Sequence, residues 1–203
     1  MPTTDTLAIY GQSGHGKVIR QIALASGYQK ILWIDDAPDA DAMTFETFLQ
    51  TDPHIPVALG IGNNTARQKV YLKLKEKQCK IATLIHPSSI IADDCCLGEG
   101  SVVMPLAVIN AEAAVGIAAI INSHSCVEHE AQLGDFVHLS PQVALGGNVR
   151  IGDFTHIGIG SAIIQGITIG AHTTIAAGSS VIHNIPDHVM AAGVPATVRK
   201  ELS

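Results

Sequence analysis

The chain is short of aromatic side chains, of cationic side chains and of paired cysteines, and each shortage excludes something. Aromatics are 4% of its 203 residues against 47% hydrophobic residues in all, so the core must be built from Ile, Val, Leu and Ala rather than rings. Lys and Arg number 12 against 18 Asp and Glu, a formal net charge of −6. That balance lacks the basic footprint of sequence-independent nucleic-acid binding, and no nucleic-acid partner is expected. Cys79, Cys95, Cys96 and Cys126 include no CxxC pair, and adjacent Cys95–Cys96 suits neither a zinc site nor a disulfide framework. Free thiols in a reducing compartment are the expectation. No run of about 18 apolar residues offers a membrane span, and the opening MPTTDTLAIYG carries no basic leader. A globular, cytoplasmic chain without membrane insertion is expected.

What is present in abundance is period. Every sixth residue from Ile91 to Val181 is Ile, Leu or Val, sixteen in succession, which marks a repeat architecture. Four residues after each anchor runs a second column, mostly small or β-branched, including Ser101, Ala107, Ala119, Val143, Thr155 and Ser179. Gly follows the anchor directly at Gly98, Gly116, Gly134, Gly146, Gly152, Gly158 and Gly170, with Asn at Asn110 and Asn122. Both types tolerate positive φ, so a tight turn is expected at that position. One short strand and one turn per hexad cannot return antiparallel. Three flat faces therefore close a triangular coil of about 18 residues, with coils ~4.8 Å apart, in a parallel β-solenoid. Sixteen hexads give five coils and a fraction. The anchors point inward, and a prism of this kind leaves at least one flat side for a subunit interface.

The first 85 or so residues alternate differently. Leu7–Tyr10 reads as a buried strand ending in Gly11-Gln-Ser-Gly14-His-Gly16, and an amphipathic helix from about Lys17 to Ala25 follows, closed by Gly27. Ile31–Ile34 is a second strand, ending in Asp35-Asp36. Val57–Gly60 is a third, followed by Gly62-Asn63-Asn64 and a charged helix from about Thr65 to Lys77. A last short strand, Ile81–Ile85, leads through His86-Pro87 into the repeats. This is a Rossmann-like α/β unit over 1–85 with its ligand edge at the strand C-termini, followed by the solenoid over 88–186 and a tail over 187–203. The glycine turn is either a ligand loop or a tight strand-to-helix turn. Its order, G-x-x-G-x-G, is not the dinucleotide fingerprint. With Asp35 and Gly62 on the same edge, three loops converge, and half a dinucleotide site suggests a nucleotide rather than NAD.

Ten histidines are many for this length. His54, His86, His172, His183 and His188 lack a partner pattern and read as surface or turn residues. His138 and His156 are 18 apart, hence neighbours in an outward column. His129, third in its hexad, points outward between Glu128 and Glu130, with Gly147 one coil above. A carboxylate on Nδ1–H strengthens and orients an imidazole base, so Glu-His-Glu is either a catalytic pair or a charged outer turn.

These residues together resemble a family. Tyr10-Gly-x-Ser-Gly-His-Gly16, Asp35-Asp36, Gly62-Asn63-Asn64, Leu84-Ile-His-Pro87, Val127-Glu-His-Glu130, Gly134-x-x-x-His138, Gly147-Asn148-Val149 and Gly193-Val-Pro-Ala196 are similar to bacterial nucleotide-sugar acetyltransferases of the hexapeptide-repeat class. Those enzymes N-acetylate a UDP-4-amino-4,6-dideoxy sugar in bacillosamine synthesis and are related to sialic acid O-acetyltransferases. The resemblance implies a left-handed coil, a hand that generic crossovers do not favour. It implies His129 as general base, Glu130 as the group that raises its basicity, and His138, Ile159 and Ala177 on acetyl-CoA. Ser13, Gly14, His15, Asp35, Asp36 and Gly62 would hold the UDP-amino sugar. The 193–196 segment would meet the adenine end of CoA, with Arg199 or Lys200 supplying a cation where the family's Lys is Thr197. Gly147 N–H is the candidate oxyanion donor. A homotrimer is implied, with no metal.

Two rivals stand beside this reading. A γ-carbonic-anhydrase-like zinc enzyme could use His124 and His129, but the third ligand position falls on Ser88. An NAD-linked or purely binding module would need the missing half of the dinucleotide fold. Within the acyltransferases, a hydroxyl of sialic acid is the alternative acceptor to the sugar amine.

Overall fold

The structure is a computed structural model and describes residues 5–202. The first four residues, on which part of the expected absence of a leader rests, and the last residue of the tail lie outside it.

The chain opens with β1 (Thr6–Tyr10), α1 (Gly14–Ala25), β2 (Lys30–Ile34), α2 (Phe45–Thr51), β3 (Val57–Leu59) and α3 (Asn64–Glu76). The three strands are parallel in the order β2-β1-β3. α2 has no counterpart in the sequence reading; Thr44 starts it by accepting a bond from Thr47 N, and Phe45 and Phe48 bury its inner side. The strand expected over 81–85 divides. Ile81 bridges to Val57, whereas Leu84–Ile85 pairs with Val102–Val103 as the first rung of the solenoid.

That solenoid contains seventeen two-residue strands, from β4 (Leu84–Ile85) to β20 (Ser180–Val181), three to a turn, hence just under six turns. Each strand pairs in parallel with the one eighteen residues on, as in Cys126↔Ala144 and Gln132↔Arg150. Three faces result. The first carries His138–Leu139 and His156–Ile157, the second Cys126–Val127 and Ala144–Leu145, and the third Gln132–Leu133 and Arg150–Ile151. A hairpin of β21 (Val189–Gly193) and β22 (Ala196–Glu201) completes the first face through Thr174↔Met190, so the 187–202 segment is sheet rather than loose tail.

Fourteen of the sixteen anchors, from Val103 to Val181, are buried, and Ile91 and Leu97 pack against them where the stack begins. Burying one such side chain contributes about 1.5–3 kcal/mol. The small column also ties coils together. Ser101 Oγ donates to Gly116 O at 2.8 Å and accepts from Ala119 N at 2.9 Å, which is why hydroxyls alternate there with Ala and Val.

The turn itself differs from the expectation. The left-handed residue lies three after the anchor, at Leu106, Glu112, Ala118, His124, Glu130, Phe136 and onward, not at the glycine directly after it. Its backbone N–H donates to the coil below, as in Phe136 N to Ile117 O and Glu130 N to Ala111 O, both at 2.9 Å. Each such bond is worth about 1 kcal/mol, which offsets most of the ~1–2 kcal/mol a non-glycine residue loses there. The glycine directly after the anchor answers to space instead: a Cβ on Gly158 would lie 2.6 Å from Ala177 N in the next coil.

The α/β unit packs on the first face and on the adjoining edge. Ile19 and Ile22 of α1 meet Leu84, Val102 and Ile120, while Tyr71 and Leu74 of α3 meet Ala118 and Phe136.

Candidate active site

His129 lies in the turn between the second and third faces. Its side chain is 59% exposed, and Nδ1 is 3.0 Å from Glu130 Oε2. Glu128, the other acid of the triplet, is engaged elsewhere: Oε2 accepts from Asn110 Nδ2 at 2.8 Å, and Cys126 Sγ lies 3.4 Å from Oε1. Only Glu130 is therefore available to orient the imidazole. The ring has Gly147 directly above it, where a Cβ would sit 2.5 Å from both Cε1 and Nε2. Among the described residues nothing accepts the Gly147 N–H.

At the strand ends of the α/β unit the expected loops do converge. Asp35 Oδ2 accepts from Gln12 N at 2.9 Å and Oδ1 from Ala37 N at 3.0 Å, so this carboxylate shapes the glycine turn. Gly16 meets Gly11 O so closely that no side chain fits. Ser13 starts α1 without a side-chain cap, which leaves its hydroxyl and the first helical N–H groups of Gly14 and His15 open. Gly62 faces the His15 ring. Asp36 lies exposed on the same edge but is engaged within the unit: Tyr10 Oη donates to Oδ2, Lys73 Nζ lies 2.7 Å from Oδ2, and Phe45 N donates to Oδ1 at 2.8 Å. Burial and the bond to this carboxylate push the Tyr10 hydroxyl up to about 12. Burial works against the Asp36 charge, yet Lys73, Phe45 N and Tyr10 outweigh it and hold the carboxyl below its usual range.

His138 sits where the two units meet. Its ring stacks on His156 at 4.7 Å and lies 6.4 Å from His15. Asn122 Nδ2 is 3.4 Å from His138 Nε2, and Ser140 Oγ is 2.8 Å from His156 Nε2. Burial lowers His15 to about 4, with the Arg67 charge adding to it. Burial, His156, Arg67 and His15 lower His138 to about 3 against a hydrogen bond to the Gly62 backbone. Burial and Arg67 lower His156 as well. These three imidazoles are neutral at neutral pH, and two of them, His138 and His156, border a cleft of about 700 Å³ with Gly62, Asn64 and Thr174.

Ile159 and Ala177 occupy a different edge, the turn between the first and second faces, stacked one coil apart through Gly178 N to Ile159 O at 2.8 Å. Ile159 is 50% exposed. Their outward, apolar column suits a pantetheine arm. One whole face separates it from His129 and Gly147 in the same chain.

The sequence reading missed Asn122 and Ser140, sixteen residues before the imidazoles they meet. It also missed Lys73 and Arg67, which carry no local signal. His172 and His188, read as unpartnered, complete a ring column with Phe136 and Phe154; successive rings are 5.0, 4.7 and 4.9 Å apart. The shared spacing of 18 in Phe136, Phe154 and His172 was the available signal. All four cysteines are free, Cys96 exposed and Cys79 buried. Among the described residues no group of three potential ligands could hold a metal, and no helix is long and apolar enough to cross a membrane.

Residues 6–74 match the PglD N-terminal domain. A UDP-N-acetylbacillosamine N-acetyltransferase of Bacillus subtilis is 36% identical over 112 residues, covering 48% of this chain and 50% of that one. The match thus spans about half the length of this curated relative. A histidine mutant of perosamine N-acetyltransferase from Caulobacter crescentus, solved with CoA and GDP-perosamine, superposes with a TM-score of 0.92 at 32% identity and 97% coverage of both chains. The acetyltransferase domain of PglB from Neisseria gonorrhoeae, in complex with acetyl coenzyme A, superposes with a TM-score of 0.90 at 32% identity, covering 96% of this chain and 99% of that one. With a full-length likeness at this identity, and a glycine-loop strand edge and a His-Glu pair on the same scaffold, the chain belongs to the nucleotide-sugar N-acetyltransferases of the hexapeptide-repeat class.

Proposed function

We propose that this protein transfers the acetyl group of acetyl-CoA to the 4-amino group of a UDP-linked 4-amino-4,6-dideoxy sugar. The observation that carries the reading is the His129–Glu130 pair beneath Gly147. The neutral sugar amine attacks the thioester carbonyl as His129 Nε2 takes its proton, and Glu130 stabilises the resulting imidazolium. The N–C bond forms and the C–S bond breaks; the departing thiolate recovers the proton from His129. Gly147 N–H is the donor for the oxyanion that develops on the carbonyl. No acyl-enzyme is required, since the thioester is already activated, and burial raises the Cys126 thiol away from reactivity. Ser13, Gly14, His15, Asp35 and Gly62 hold the nucleotide sugar. Asp36 contributes by fixing Tyr10 and Lys73. Ile159 and Ala177 line the pantetheine groove, and His138 joins the two substrate regions.

A homotrimer is the assembly proposed to bring the two separated columns together. His129 of one chain and Ile159 of another face the same groove only if the second face lies against a neighbour. That face supports the arrangement, because its outward residues, including Ile90, Val108, Cys126, Ala144 and Ala162, form an apolar strip with Ile90 66% exposed. Acetyl-CoA and nucleotide sugars are cytoplasmic metabolites, which puts the reaction in the cytoplasm. The test is a panel of UDP- and GDP-linked amino sugars, with free sialic acid, each given acetyl-CoA and followed by thiol release. Turnover confined to nucleotide-linked amines is the expected result; acetylation of sialic acid alone would overturn it.

A further inference from the structure

Arg67 is 1% exposed, yet no described carboxylate pairs with it. All five of its N–H groups are spent on neutral acceptors, and those acceptors come from both units. Nε donates to Ala118 O at 2.7 Å and Nη2 to Phe136 O at 2.9 Å, two carbonyls one coil apart on the solenoid edge. Nη1 donates to Ile61 O at 3.2 Å and Gly62 O at 2.9 Å, and Nη2 also to Asn64 Oδ1 at 2.9 Å. Asn64 in turn donates to Phe154 O at 2.8 Å, the next carbonyl up the same edge. Three successive left-handed residues, Ala118, Phe136 and Phe154, therefore present their carbonyls to one arginine and one asparagine. Burying an unpaired guanidinium is costly, and an apolar residue would fill the space at lower cost. Only the planar fork reaches five acceptors in fixed directions.

We infer that Arg67, backed by Asn64, is a positioning residue for the acceptor: it locks the 61–64 loop to the solenoid and so sets where the nucleotide sugar sits relative to the His138 coil. This rests on the proposed role of Gly62 in holding that substrate. Arg67 touches no substrate itself, because its donors are all occupied. Its effect must appear as misplacement of the acceptor, and a shift of 1 Å in a bound reactant costs about 100-fold in rate. The Ile159 and Ala177 edge, the proposed pantetheine groove, lies across the first face from the Ala118 and Phe136 edge that Arg67 grips.

The experiment compares Arg67→Lys, Arg67→Met and the milder Asn64→Ala in two assays. In steady-state kinetics, Arg67→Lys is expected to raise KM for the nucleotide amino sugar at least tenfold and to lower kcat, with KM for acetyl-CoA within about twofold of wild type. Asn64→Ala should do the same to a smaller degree. In hydrogen exchange of the full-length protein, amides of 61–64 should exchange faster in Arg67→Lys while β1 and β3 stay protected. A lysine variant with wild-type kinetics would mean that charge alone matters and would overturn the inference. So would equal damage to both KM values, or unchanged exchange in the loop. Should the wild type turn over no nucleotide amino sugar, the functional reading fails; loop exchange still decides whether Arg67 locks the loop. If Arg67→Met and Arg67→Lys do not fold, Asn64→Ala carries both assays.

Discussion

Gly147→Ala separates catalysis from stability more cleanly than removing a catalytic side chain. Gly147 has no left-handed φ, so alanine adopts its backbone conformation without strain. Relieving the unfolded chain of a glycine stabilises the fold by about 0.4–1 kcal/mol, which is ~1–4 °C in Tm for a chain of this size. The added Cβ, however, would lie 2.5 Å from His129 Cε1 and Nε2. Ordinary contact is about 3.5–4.0 Å, so the ring must retreat by about 1 Å. It can do so freely, being 59% exposed and held only by Glu130. The fold therefore tolerates the substitution while Nε2 leaves the line of the attacking amine. A displacement of that size costs about 100-fold in kcat, or ~2.7 kcal/mol of transition-state stabilisation. The assay is thiol release at saturating substrates beside a thermal melt. The expected pair is a kcat down by about two decades with Tm unchanged or raised. Activity within threefold of wild type would refute the claim that Gly147 exists to seat His129. A collapse in Tm would show that the glycine serves the coil rather than the base.

Three further outcomes can be checked. His129→Ala should lower kcat by about 10²- to 10⁴-fold with KM for acetyl-CoA nearly constant, and Glu130→Ala should cost less, since the imidazole remains; steady-state kinetics decide, and a more damaging Glu130→Ala would reverse the assigned roles. Mixing His129→Ala chains with Ile159→Arg chains should recover roughly a quarter of wild-type activity, the share of sites in a random trimer that receive an intact residue from each neighbour; a mixture no better than its parents would place the whole site in one chain. Because His15 and His138 are lowered to about 4 and about 3, the folded state binds their protons more weakly than the unfolded state, whose value is 6.5. Tm should be flat above that pH and fall as pH drops toward about 5, more gently in His138→Asn; a Tm constant across this window would refute the buried neutral cluster.

Relations along the solenoid axis were legible because sequence distance becomes spatial distance there. Residues eighteen apart are neighbours, so Gly147 above His129, His156 on His138 and Ala177 on Ile159 could all be computed by addition. The error at the turn came from assigning a conformational meaning to a steric signal. Gly98, Gly116 and Gly158 are small because the next coil's backbone passes over them. The residue that takes positive φ can be Leu106, Glu130 or Phe136, because its N–H is bonded to the coil below, to Ser88 Oγ for Leu106 and to a carbonyl for the other two. His188 was lost for a different reason: the final coil is two residues short, with Thr174 paired to Met190, so simple addition, which does reach His172 from Phe154, fails one step later.

Relations across the axis follow no such rule. Arg67 reaches Ala118 and Phe136 over 51 and 69 residues, and nothing local to Asn64-Thr-Ala-Arg67 distinguishes it from the other cations of α3. The Asp35-Asp36 pair makes the same point at closer range. Both acids fall where a ribose-binding carboxylate is expected; Asp35 also holds Gln12 N on that edge, whereas Asp36 is drawn to Lys73, 37 residues away. Which neighbour a carboxylate finds depends on how α3 is laid against β1, and that is fixed by Tyr71 and Leu74 packing on the solenoid edge. The acceptor end of the site is thus shaped by contacts between the two units, whereas the His129 and Ile159 columns are set by the repeat within one. Substitutions in the repeat should accordingly act on the coils immediately above and below, and substitutions at Asn64 and Arg67 on α3 should act chiefly on the proposed nucleotide-sugar end.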